Sequence, residues 1–168
     1  MSYDDKEFNN QIEQIWPKIW RLCYRFVGPQ LADDMTQETF LKFLKSKHKF
    51  RGDSKLSTYL YRIAVNLCID FNRKPAVHSY DEIDQYNPFS AHEQFNDILA
   101  EQKINNALNE LPAQRRSVFI LRILEHYSTR ETAEILEISE GTVKAHLHIA
   151  LQDLRDKLKP LIKEMEAS

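Results

Sequence analysis

The sequence predicts an all-α protein of two small helical domains joined by an acidic linker. Apolar residues recur every three or four positions through most of the 168-residue chain, which is the spacing of an amphipathic helix. No segment shows the alternation of β-branched and polar residues that is typical of a strand. Residues 76–92 interrupt the helical pattern and contain acidic side chains but no Lys or Arg. We therefore expect domains at residues 1–75 and 93–168, with a linker between them.

Two helices are predicted at the start of the first domain. An apolar stripe over residues 8–26 indicates the first, and Pro17 is expected to kink it or to start a new helix. The second is predicted over residues 31–47. Asp33 and Asp34 are expected in its first turn, where negative charge suits the helix dipole.

A third helix completes the first domain. We expect Ser57 to cap its start and Pro75 to end it. Cys23 and Cys68 fall within the apolar stripes of the first and third helices, at a spacing that fits neither a metal site nor a redox motif. Both are therefore predicted to be small core residues.

The second domain is predicted to contain four helices. The first covers residues 93–110, and Pro112 opens the next, which continues to about residue 125. Ser128 and Glu131 have the spacing of a capping box and start a short third helix.

The last two helices of this domain fit the helix-turn-helix pattern, in which a short capped helix, a turn and a longer capped helix follow one another. Ser139 is expected to cap the longer helix, which is predicted to end at Pro160. Residues 141–144 place small and polar side chains in its first turn, where such motifs contact base edges. A helical hairpin with no role in DNA binding is the alternative.

Several classes of protein are disfavoured by the sequence. The chain has no apolar run long enough to span a membrane and no signal-peptide pattern, so we expect no membrane insertion and a cytoplasmic protein. It has no phosphate-binding glycine loop, metalloprotease motif or nucleophile elbow, which argues against an enzyme. His146 and His148 lie two positions apart on a helix, which is a poor arrangement for metal ligands. Neither a metal nor a cofactor is expected.

Two long motifs resemble a known family. The segments LADDMTQETFL at 31–41, FRGDS at 50–54 and STYLYRIAVN at 57–66 are similar to region 2 of extracytoplasmic-function (ECF) sigma factors. The segment LPAQRR at 111–116, together with the helix-turn-helix, is similar to their region 4. The resemblance implies a non-catalytic subunit of bacterial RNA polymerase that recognises the minus-ten and minus-thirty-five promoter elements and directs initiation. The implied partners are the β′ clamp and β flap of core polymerase, promoter DNA and an anti-sigma factor.

The resemblance also assigns functional residues in the first domain. Core-polymerase binding falls on Asp34, Gln37 and Glu38, for which a merely solvated acidic face is the alternative. A mixture of cations and aromatic rings on the next segment suits unpaired DNA, because cations bind phosphate and rings stack on bases. Some of these rings are expected in the core. The residues assigned to the minus-ten element are Phe50, Arg51, Lys55, Tyr59, Arg62 and Asn66.

The assignment to the minus-thirty-five element covers residues of the helix-turn-helix, namely Arg130, Thr142, Lys144, Ala145, His146 and His148. Residues 144–151 lack three cations that the family commonly has in this segment. Glu137 also stands where the family usually has glycine, in a turn whose left-handed conformation costs about 1 kcal/mol for another residue.

An autonomous helix-turn-helix regulator with an N-terminal sensing domain is the second hypothesis. Charge distinguishes the two, because a regulator that binds DNA alone needs a strongly basic surface. The net charge of −2 favours a subunit that is anchored to DNA by polymerase.

Overall fold

The computed structural model describes residues 5–52, 54–73 and 95–166. These residues form seven α-helices and no strand, which confirms the predicted all-α class. The helices are α1 (Asp5–Val27), α2 (Pro29–Ser46), α3 (Leu56–Arg73), α4 (Phe95–Asn109), α5 (Ala113–Phe119), α6 (Thr129–Leu136) and α7 (Glu140–Glu166).

The chain divides into two compact units. Of the described residues, 5–52, 54–73 and 134–137 lie in the first, and 95–133 and 138–166 lie in the second. The predicted linker at 76–92 lies outside the described residues. Within the part of the chain that the structure describes, no helix is long and apolar enough to cross a bilayer.

The first unit is a bundle of α1, α2 and α3 around one core. Cys23 of α1 and Cys68 of α3 are both fully buried there, as predicted for core residues. A hydrogen bond to the Cys68 thiol lowers the pKa of Cys23, and burial opposes that shift. The largest fully buried side chains of this bundle are Ile19, Leu22, Phe43, Leu60, Tyr61 and Val65.

The helix starts in this unit differ from the predicted ones. α2 begins at Pro29, directly after Gly28, whose φ is 79°. Proline suits the first helical position because its fixed φ is already helical and its missing N–H is not needed there. Asp33 and Asp34 therefore lie beyond the first turn, and the predicted placement was wrong. Pro17 lies inside α1, which continues past it.

The predicted cap of α3 was also wrong, because Ser57 is the second residue of the helix and not the residue before it. The Tyr59 N–H donates to the Lys55 carbonyl at 3.2 Å, so the helical hydrogen bonds begin one residue before Leu56. α3 ends at Arg73. The expectation that Pro75 ends it falls on a residue outside the described ranges.

The second unit packs α4 and α5 against α7. Its core cluster contains Ala107, Leu108, Leu111, Ala150 and Leu154. α5 continues as a π-helical turn over Ile120–Leu124, where the Glu125 N–H donates to the Ile120 carbonyl at 2.9 Å.

Local capping fixes the start of both helix-turn-helix helices. At α6, the Glu131 N–H donates to Ser128 Oγ at 3.1 Å, and the Ser128 N–H donates to Glu131 Oε2 at 2.9 Å. At α7, the Thr142 N–H donates to Ser139 Oγ at 3.0 Å. The predicted capping box and the predicted Ser139 cap are therefore both confirmed.

The turn between α6 and α7 is a Schellman motif. The Ile138 N–H donates to the Ala133 carbonyl at 3.1 Å, and Glu137 between them has a φ of 56°. The left-handed conformation expected at Glu137 is thus present without glycine. α7 then continues through the exposed Pro160 to Glu166, so the predicted end was wrong. An exposed proline is tolerated there because water can bond the carbonyl that loses its helical donor.

We expect Glu137→Gly to have a free energy of unfolding about 1 kcal/mol higher than Glu137→Ala, because both variants lose the carboxylate and its ion pair, and only glycine adopts a positive φ without steric cost. Urea unfolding of the full chain, followed by far-ultraviolet circular dichroism, measures the change. The matched control is Glu134→Gly, which removes the same charge from the interior of α6 and should destabilise by about 1 kcal/mol. Equal free energies of unfolding of Glu137→Gly and Glu137→Ala would contradict the argument from backbone conformation.

Candidate protein and nucleic-acid interfaces

The outer face of α2 carries the three residues assigned to polymerase binding. Asp34 and Gln37 are exposed, and Glu38 is half-buried. The helical spacing places all three on the side of α2 opposite the buried Ala32, Thr36 and Phe43. The structure therefore brings these residues together on one surface, which we call the α2 face.

Two exposed leucines belong to the same surface and were missed by the sequence analysis. Leu41 is 48% exposed and lies two helical turns after Asp34, and Leu44 is 57% exposed beside it. Such exposure is unusual for a large apolar side chain when several lie together. The sequence spacing could have indicated Leu41, because a residue seven positions after Asp34 lies on the same side of the helix.

Aromatic packing extends this apolar surface towards α1. Trp16 stacks on Phe40 with ring centroids 4.6 Å apart and an interplanar angle of 13°, and 38% of Trp16 remains exposed. Trp20 donates from Nε1 to Asp33 Oδ1 at 2.7 Å, which ties that carboxylate to α1. Of these two neighbouring aspartates, Asp34 is thus the one that belongs to the α2 face.

The segment between α2 and α3 is anchored by three aromatic rings. Phe50 and Tyr59 lie 5.3 Å apart between ring centroids, and each also contacts Phe43 at 6.3 and 6.0 Å. The Tyr59 hydroxyl lies 3.5 Å from Ser46 Oγ. Phe50 and Tyr59 are half-buried, so their rings serve packing as well as any contact with DNA. We call these three rings the aromatic anchor.

Charged and polar side chains surround the aromatic anchor. Arg51 and Lys55 are exposed on the connecting segment. On α3, Tyr59, Arg62 and Asn66 follow one another at three- and four-residue spacing, which places them on one outer face. Asn66 is exposed and Arg62 is half-buried. Tyr61, in contrast, is 1% exposed and belongs to the core.

The exposed Arg73 lies on the same outer face of α3 and was not assigned from the sequence. It follows Asn66 by seven residues, which corresponds to about 10 Å along the helix. The exposed Asp70 lies between Asn66 and Arg73 on this face, so Arg73 is a separate cation and does not continue the basic segment at Arg51 and Lys55.

The residues assigned to the minus-thirty-five element do not all share one face. Lys144, Ala145 and His148 are exposed on α7, and Arg130 is exposed in the first turn of α6. Thr142 is half-buried, and its hydroxyl lies 2.8 Å from Ser139 Oγ within the cap of α7.

His146 is half-buried, and its Nδ1 atom is enclosed by protein. It lies closer to the core side of α7 than Ala145 and His148 do. The exposed surface of the helix instead continues to Gln152 and Arg155, which the sequence analysis did not single out.

Comparison with known proteins identifies the family of this fold and these surfaces. Residues 12–76 match the family model for Sigma-70 region 2, and residues 101–154 match the model for Sigma-70, region 4. The chain is 31% identical to the ECF RNA polymerase sigma factor SigW of Bacillus subtilis, over 94% of this chain and 92% of that protein. The chain belongs to the ECF sigma factors.

Further relatives agree with this membership. The ECF RNA polymerase sigma-E factor of Escherichia coli is 31% identical, over 95% of this chain and 91% of that protein. The sigma factor RpoE of Bartonella quintana, solved in complex with the anti-sigma factor NepR, has a similar fold, with a TM-score of 0.67 and 22% identity over 92% of this chain and 98% of that chain. CnrH, solved with the cytosolic domain of CnrY, has a TM-score of 0.69 and 20% identity, over 94% of this chain and 90% of that chain.

As an ECF sigma factor, this protein is a transcription initiation factor that binds core RNA polymerase and recognises promoter DNA. The resemblance seen in the sequence is thereby confirmed, and the autonomous regulator is set aside.

We expect the ring of Tyr59 to contribute more to stability than its hydroxyl does. Tyr59→Ala should lower the free energy of unfolding by about 2 kcal/mol, because it removes one ring of the aromatic anchor. Tyr59→Phe keeps that ring and should change the free energy of unfolding by less than about 0.5 kcal/mol. Urea denaturation of both variants measures the difference. A large loss of unfolding free energy in Tyr59→Phe would show that the hydroxyl, and not the ring, stabilises this segment.

Proposed function

We propose that the α2 face is the surface through which this sigma factor binds the β′ clamp of core polymerase. The observation that carries the proposal is the exposed Leu41, one helical turn beyond Gln37 and Glu38 on the α2 face, with the exposed Leu44 beside it. Exposed leucines that adjoin charged and polar side chains on one helix face are typical of a protein interface and untypical of a solvated helix.

The aromatic anchor and the outer face of α3 are proposed to recognise the minus-ten element as unpaired DNA. Arg51 and Lys55 supply charge for phosphates beside the partly exposed rings of Phe50 and Tyr59. Arg62 on α3 pairs with Glu137 Oε1 at 3.0 Å within the same unit, so it is proposed only as a secondary phosphate contact that exchanges this ion pair. The exposed amide of Asn66 both donates and accepts hydrogen bonds.

The helix-turn-helix is proposed to bind the minus-thirty-five element as duplex DNA, with α7 in the major groove. Lys144, Ala145 and His148 are exposed along α7 and support this placement, and Arg130 provides a phosphate contact from α6. The roles first assigned to Thr142 and His146 are proposed only as secondary contacts, because one is in the cap and the other is half-buried.

The remaining features of the proposal concern organisation and partners. We propose a region 2 domain at 1–75, a linker at 76–92 and a region 4 domain at 93–168 that also contacts the β flap. The protein is proposed to act in the cytoplasm as a subunit without enzymatic activity of its own. Because RpoE and CnrH were solved with an anti-sigma factor and with the cytosolic domain of CnrY, respectively, an anti-sigma factor is proposed as a partner here.

Reversing the charge of the α2 face tests the polymerase assignment. We expect Asp34→Lys combined with Glu38→Lys to weaken binding to core polymerase by about tenfold or more, since two carboxylates at the interface become cations. Competition binding against the wild-type protein measures the affinity, and circular dichroism checks that the helices are intact.

The control for this experiment combines Glu13→Lys with Gln14→Lys at two exposed positions of α1, which adds three positive charges to the same unit where the test variant adds four. If both double variants lose affinity to the same extent, the effect belongs to overall charge and the α2 face is not the binding surface.

Asn66 tests the minus-ten assignment. Asn66→Ala should reduce discrimination among minus-ten variants more than it reduces holoenzyme affinity, because a base contact carries sequence information and a phosphate contact does not. Run-off transcription from a set of minus-ten variants provides the measurement.

The matched control is Asn72→Ala on the same helix. The Asn72 side chain donates from Nδ2 to the Phe26 carbonyl at 3.3 Å, so its loss should affect stability without affecting base selection. Full promoter selectivity in Asn66→Ala would place the minus-ten contact elsewhere.

A further inference from the structure

The exposed side of α7 forms a continuous surface that extends beyond the residues assigned above. Gly141, Ala145, His148, Gln152 and Arg155 are all exposed, at successive spacings of four, three, four and three residues. That spacing keeps side chains on one side of an α-helix. We call these five residues the outer face of α7.

The outer face of α7 is longer than the part of it that the first turns of the helix form. Eleven residues separate Gly141 from Gln152, which corresponds to about 17 Å along the helix. At 3.4 Å per base pair, a helix lying along the major groove covers about five base pairs over that distance. Gln152 is therefore within reach of the base pairs at the far end of the element that α7 contacts.

Electrostatics also suits the approach of DNA at Gln152. The two carboxylates that follow Gln152 in the sequence are both paired within the second unit. Asp153 Oδ2 lies 3.0 Å from Arg115 Nη1, and Asp156 Oδ1 lies 2.6 Å from Lys159 Nζ. Lys159 also lowers the pKa of Asp156 through a hydrogen bond and its charge. Asp156 lies one helical turn after Gln152, and its pairing with Lys159 offsets its charge there, while Arg155 beside it can neutralise a phosphate.

Few side chains on the outer face of α7 can form hydrogen bonds that distinguish one base from another. Gly141 has no side chain, and Ala145 offers only a methyl group, which can contact the methyl group of thymine. Besides Arg155, His148 and Gln152 are the two polar side chains of the outer face. Glutamine is suited to adenine, because its amide can donate to N7 and accept from the N6 amino group at the same time.

We propose that Gln152 is a specificity-determining residue that recognises adenine in the major groove at one end of the minus-thirty-five element. This inference rests on the proposed placement of α7 in the groove. It adds a base contact one helical turn beyond His148, where the sequence analysis assigned none.

The experiment uses holoenzyme assembled from the full chain and core polymerase, with a promoter library randomised over the minus-thirty-five element. The wild-type protein should select adenine at one position, and Gln152→Ala should reduce that preference about tenfold, the scale of a lost bidentate contact. Gln152→Glu should instead select cytosine at that position, because a carboxylate accepts from the cytosine amino group. A merely structural role of Gln152 does not predict a change from adenine to cytosine.

Chemical substitution in the DNA gives an independent measurement. A 7-deazaadenine at the selected position lacks the N7 acceptor, so it should weaken binding of the wild-type holoenzyme. It should leave binding of the Gln152→Ala holoenzyme unchanged. Gln114→Ala, at an exposed position of α5, is the control and should keep the wild-type preference at every position.

Lys144→Ala separates failure of this inference from failure of the proposed function. If Lys144→Ala alters minus-thirty-five binding but both Gln152 variants keep the wild-type base preferences, Gln152 does not contact a base. The same conclusion holds if Gln152→Ala weakens binding equally for all sequences, or if the wild-type protein prefers another base there. If neither Lys144→Ala nor the Gln152 variants affect the minus-thirty-five element, the proposed placement of α7 is wrong as well.

Discussion

The small size of the two hydrophobic cores is the constraint on which the rest of this structure depends. Units of about seventy residues bury a smaller share of their surface than large domains do. Most of the apolar side chains on each helix must therefore be buried in the core. In the first unit, small buried residues such as Ala32, Ala64 and Cys68 are compatible with close approach of the helices. The side chains proposed to bind polymerase and DNA consequently lie on the outer faces of α2, α3 and α7 and on short connecting segments.

Features set by neighbouring residues were predictable from the sequence. Ser128 and Glu131 cap α6, Ser139 caps α7, and Glu137 has a positive φ, because each depends only on hydrogen bonds or sterics within a few residues. Helix limits were less predictable. α2 begins at Pro29, because proline favours the first position of a helix. α7 continues past Pro160, because an exposed helix can accommodate the hydrogen bond that proline removes.

Exposure was the least predictable property of the candidate sites. Leu41 has the same residue type as a core leucine, and only the packing of α1 and α3 on the other sides of α2 leaves it at the surface. His146 and His148 look alike in the sequence, yet one is half-buried and the other is exposed. Gln152 was not predicted because the helix-turn-helix pattern indicates base contacts only in the first turns of α7, whereas the exposed surface continues along the helix. Sequence spacing identifies a face, but tertiary neighbours decide which face is outside.

The exposed apolar residues Trp16, Leu41 and Leu44 affect the protein while it is separate from its partners. Water around such a surface is unfavourable, so uncovered copies tend to self-associate and to be bound by chaperones or degraded by proteases. Occupancy of this surface then influences how long a copy of the protein survives as well as whether it acts. Any partner that buries these side chains, such as the core polymerase proposed for the α2 face, reduces that tendency.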